Sequence, residues 1–93
     1  DQEVSNALSQ YEAAAQQEAA CKQQVAELTT ALENTKMLFQ HSASTTYLET
    51  LTAQQSLIQA QLTLISDKFD KVQAAINLYQ ALGGGRETET NNN

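Results

Sequence analysis

The chain has 93 residues, a formal net charge of −6, no Pro or Trp, and only three Gly. A chain this short holds one small domain at most, marginal on its own core without a disulfide or metal, and a single Cys excludes an internal disulfide. The acidity excludes nucleic acid as a partner, since no basic patch offsets phosphate repulsion, and no apolar run approaches the ~20 residues of a membrane-crossing helix.

Fourteen Ala and thirteen Gln dominate the composition, and both are good helix formers. Hydrophobic content of 41% with regular apolar spacing favours helix over disorder. No signal peptide is recognisable. The first residue is not Met and already lies inside a helical pattern, so the chain reads as an excerpt of something longer.

The first predicted helix covers about residues 2–41. Alternating steps of three and four pick out Val4, Ala7, Tyr11, Ala14, Glu18, Cys21, Val25, Leu28, Leu32, Thr35 and Phe39, a heptad stripe of the coiled-coil kind. "HSAS", residues 41–44, is the expected bend, with the hydroxyl of Ser42 or Ser44 satisfying freed backbone groups in place of Gly. Thr46 followed by Glu49 is a capping-box signature that starts a second helix at Tyr47. That helix covers about residues 47–82, with a stripe at Leu48, Leu51, Gln55, Ile58, Leu62, Ile65, Phe69, Val72, Ile76 and Tyr79. Gly83 is the expected left-handed cap, and residues 83–93 read as a cap followed by a flexible tail.

Folding the chain back near residues 43 and 44 matches the two stripes. Phe39 then meets Leu48, Leu32 meets Gln55, Val25 meets Leu62 and Tyr11 meets Ile76, with Leu28–Ile58, Cys21–Ile65 and Ala7–Tyr79 interleaved. Glu18 falls opposite Phe69, with Lys68 and Lys71 near enough to answer its charge. The predicted fold is all-α: a long antiparallel coiled-coil helical hairpin over residues 1–82, with its tip at 42–46. A second line on the same helix, Leu57, Ala60, Leu64, Ala74, Leu78 and Ala81, implies further helices beside it, in a bundle or closed helical barrel. The excerpt alone is therefore expected to self-associate. Opposite runs a nearly charge-free polar line: Thr52, Ser56, Gln59, Thr63, Ser66, Asp70, Gln73, Asn77 and Gln80. It reads either as the wall of a water-filled lumen or as an ordinary solvated face.

Nothing in the residues supports catalysis, a cofactor or a metal. His41 has no second ligand at suitable spacing and reads as a surface residue. Cys21 reads as a small buried hydrophobe, Asp67, Lys68, Asp70 and Lys71 as surface pairs, and Glu49 as a cap or a gate residue. "GGGR" lacks the strand, spacing and Lys of a phosphate loop.

Residues 45–62, "TTYLETLTAQQSLIQAQL", and 71–85, "KVQAAINLYQALGGG", resemble the C-terminal signature of the outer membrane efflux family, the TolC-type channels of tripartite pumps. "EVSNALSQYEAA", residues 3–14, resembles the start of the family's preceding helix. The resemblance implies a trimer whose chains supply strands to an outer-membrane β-barrel and long helices to a periplasmic α-barrel in the Gram-negative envelope. This chain is then the periplasmic second hairpin, an excerpt that does not itself span the membrane. Its tip, His41, Ser42, Ala43, Ser44, Thr45 and Thr46, is implied to meet a periplasmic adaptor that couples the channel to an inner-membrane pump. Tyr47, Glu49, Thr52 and Gln55 fall in the turns next to the gate. Three positions depart from the family pattern. Ser42 stands about where many relatives have Gly, Thr52 and Gln55 stand where Asp and Arg are frequent, and Arg86 replaces a frequent Trp. A gate closed by neutral hydrogen bonds rather than charges follows. Two other readings share the rod: the hairpin of an adaptor protein, which would continue into β segments on both sides, and a generic coiled-coil spacer or dimeriser.

Overall fold

The computed structural model describes residues 1–41 and 46–91, with side chains described as far as Gly83. It contains two helices, α1 (Gln2–His41) and α2 (Tyr47–Asn91). The fold is an all-α helical hairpin, as the periodicity predicts. The expected bend at residues 42–45 lies outside the described residues.

The chain divides into two compact units, each pairing a stretch of α1 with a stretch of α2: Asp1–Glu18 with Asp67–Asn93, and Ala19–Ser66. In the first unit α1 buries Ala7 and Glu18 and half-buries Val4, Tyr11 and Ala14, while α2 buries Asp67 and Ala74 and half-buries Lys71, Leu78 and Ala81. In the second unit α1 buries Cys21 and Leu32 and half-buries Val25, Leu28 and Thr35. There α2 buries Thr50, Leu57 and Ala60 and half-buries Ala53 and Leu64. Cys21 meets Ala60 while Phe39 meets Tyr47, so in this unit the helices run antiparallel.

The inward face of α1 is the stripe read from the sequence, apart from the exposed Phe39. The inward face of α2 is not. Leu48, Leu51, Gln55, Ile58, Leu62, Ile65, Phe69, Val72, Ile76 and Tyr79 are all exposed. The buried seam instead includes the line first assigned to neighbouring helices, Leu57, Ala60, Leu64, Ala74, Leu78 and Ala81. Two physical reasons favour this face. Ala53, Ala60, Ala74 and Ala81 are small enough to let the axes approach the small residues Ala7, Ala14 and Cys21 of α1, since interaxial distance follows side-chain size. Glu18, buried on α1, also has Lys71 opposite it on this face, where the other face would have set Phe69 opposite it and the lysines to the side.

A second correction concerns the end of α2. Gly83 has no positive φ and the helix runs on through it to Asn91, so no left-handed cap forms there. Glycine costs a helix about 1 kcal/mol relative to Ala but does not forbid it, and no Pro follows to enforce a stop.

Candidate functional site

The sequence places function at the turn and in the first turns of α2. Thr46 and Glu49 form the reciprocal box expected there. The Glu49 amide donates to Thr46 Oγ1 at 3.2 Å, and the Thr46 amide donates to Glu49 Oε2 at 3.1 Å. Two of the backbone donors that any helix start leaves without partners are thus satisfied, and α2 begins at a defined residue without Gly or Pro. Phe39 on the last turns of α1 and Tyr47 at the start of α2 bracket the turn, with ring centroids 6.0 Å apart and planes tilted by 48°. Tilted pairs at this separation are favourable aromatic contacts. His41 is exposed in the last turn of α1. The other expected tip residues, Ser42, Ala43, Ser44 and Thr45, lie outside the described residues.

Thr52 and Gln55 are brought together. With Gln24, Leu28, Ser56, Gln59, Ala60 and Thr63 they line a shallow groove of about 480 Å³ along the second unit. The lining has no charged side chain. Thr52 Oγ1 donates back to the Leu48 carbonyl at 2.9 Å, and Thr63 Oγ1 donates to that of Gln59 at 3.1 Å. Both hydroxyls therefore keep acceptor capacity toward solvent, and the Gln55 amide is exposed. Tyr47 and Glu49 are exposed too, but neither lines this groove. Chemically the surface is a neutral ladder of amides and hydroxyls, able to exchange hydrogen bonds with water or with a copy of itself. Among the described residues no group of three or more His, Cys, Asp and Glu side chains is placed to hold a metal ion.

Sequence reasoning missed the most prominent surface of the molecule, the large apolar side chains standing outward from α2. In the first unit Phe69 is 69% and Tyr79 is 78% exposed, and in the second Leu48 is 70% and Ile65 is 64% exposed. A signal was present in the residues. Of the two apolar lines on α2 this one holds the bulkier members, and the line with Ala60, Ala74 and Ala81 is the better match to the small Ala7, Ala14 and Cys21 of the α1 stripe.

The class of molecule these features define is a helical hairpin that buries a thin seam and leaves its bulkiest apolar edge open. The chain is homologous to CusC, an outer membrane efflux protein of the TolC-type family. The relative, "Cation efflux system protein CusC" of Escherichia coli strain K12, is 36% identical over 83 residues, which is 89% of this chain and 18% of the relative. The protein of that name in strain CFT073 is 36% identical over the same share, and that of O157:H7 is 35% identical. The chain thus spans 18% of the length of the curated relatives it matches. No family model matches the chain, and no solved structure matches it.

Proposed function

We propose that the chain is a periplasmic stave of an outer-membrane efflux channel, a conduit and docking element rather than a catalyst. The observation that carries this reading is the exposed apolar edge of α2. Burying apolar surface stabilises by about 25 cal/mol per Å², so an isolated hairpin gains most by turning its largest side chains inward. This hairpin turns a line of alternating Leu and Ala inward and leaves the bulkier Leu62, Ile65, Phe69 and Val72 outside, which is favourable only if a neighbouring helix covers them. Homology to a protein named for cation efflux supports a cation as cargo, and the resemblance to TolC-type channels implies the assembly, a trimeric α-barrel in the Gram-negative periplasm. The neutral groove with Thr52 and Gln55 then belongs to the gate region. The turn from His41 to Thr46 meets the periplasmic adaptor, which links the channel to its inner-membrane pump. No described helix is long and apolar enough to cross a membrane, in keeping with a segment that stays in the periplasm.

The test is made in the full-length protein. Leu62→Asp and Phe69→Asp, each on the exposed edge, should abolish the oligomer and sensitise cells to the exported cation. Gln61→Asp, exposed beside that edge, should do neither. Intact oligomers and unchanged export in both edge variants would overturn the reading.

A further inference from the structure

We infer that Glu18 and Lys71 set the register of the hairpin, a role separate from any contribution to its stability. Glu18 lies on the buried face of α1 at 8% exposure, and Lys71 Nζ donates to its Oε1 at 3.2 Å. Asp67, 5% exposed, stands one turn before Lys71 on the same face of α2. A charged layer therefore interrupts the seam of the first unit.

The rest of that seam says little about register. On α1 it consists of Val4, Ala7, Tyr11 and Ala14, and on α2 of Ala74, Leu78 and Ala81. Sliding one helix by a heptad replaces Ala14 with Ala7, or Ala74 with Ala81, so those layers are unchanged by the slip. Glu18 is not indifferent. The same slip carries it from Lys71 onto Leu78 in one direction and Leu64 in the other. A half-heptad shift brings it to Ala74 or to the carboxylate of Asp67. Every alternative strands a buried carboxylate against an apolar or like-charged neighbour, the arrangement that buried charges least tolerate. The native pair itself adds little net stability, because desolvating both ions offsets most of their attraction. A polar layer inside a coiled-coil seam specifies alignment at some cost in stability. The inference concerns the hairpin alone and holds whether or not the channel reading does.

The native thiol supplies the readout. Cys21 Sγ donates to the Ala60 carbonyl at 3.6 Å, and both helices are continuous, so a slipped register carries Cys21 away from residue 60. In the full chain carrying Ala60→Cys, the yield of the 21–60 disulfide under oxidised glutathione is compared between the charged layer and Glu18→Leu/Lys71→Leu. The expected result is a fall of about threefold or more with helix content and melting temperature retained, and recovery in Glu18→Lys/Lys71→Glu. Should the Leu pair lose helicity, Glu18→Gln/Lys71→Gln gives the reading. An unchanged yield, or a fall that only tracks loss of helix, overturns the proposal.

Discussion

Thr46, Glu49 and Thr50 show how much of the turn is written in a few side chains. The box between Thr46 and Glu49 is formed at 3.1 and 3.2 Å, so Thr46→Ala should cost about 1 kcal/mol. Hydrogen exchange should quicken at the first amides of α2, and unchanged protection there would contradict the cap. Thr50 is a different case. It is 8% exposed at the seam, and among the described residues its hydroxyl has no hydrogen-bond partner. Val keeps the β-branched shape without the buried hydroxyl, so Thr50→Val should raise stability by about 1 kcal/mol in thermal unfolding. Destabilisation would mean that the hydroxyl has a partner after all.

The helices themselves were legible in outline, because Ala- and Gln-rich runs without Pro leave few alternatives. The inward face of α1 was legible for a further reason: it carries a single apolar stripe, from Val4 to Leu32. On α2 there are two stripes, and periodicity does not rank them. The bulkier one looks like the core of a hairpin when the chain is considered alone, yet Glu18 and the small residues of α1 select the other. The tip residues 42–45, where much of the expected site falls, lie outside the described residues. Gly83 was misread because a glycine after a helical run is the commonest stop signal, whereas here α2 continues to Asn91. Nothing lies within 4 Å of a Cβ built on Gly83, so Gly83→Ala should stabilise α2 by roughly 0.5–1 kcal/mol. A left-handed cap would make the same substitution destabilising, and circular dichroism with thermal melting separates the two signs.

Taken entire, the hairpin closes on a seam of Ala and Leu that includes the Glu18–Lys71 pair, turns the bulkier apolar line of α2 outward, and carries a neutral polar groove along the second unit. In an assembled channel the groove is where gate contacts between copies would form, through neutral hydrogen bonds worth ~1 kcal/mol each. Thr52→Ala and Gln55→Ala in the full-length protein should each loosen the closed state and raise leakage of large antibiotics across the outer membrane. Unchanged leakage in both would remove these residues from the gate. All of this depends on which face α2 presents to α1, and the native Cys21 can report it. Two chains are compared under mild oxidation, one with Ala60→Cys and one with Ile65→Cys. An intrachain disulfide between residues 21 and 60, with little or none between 21 and 65, is the predicted outcome; efficient bonding to residue 65 instead would put the bulky stripe inside the hairpin and contradict the account.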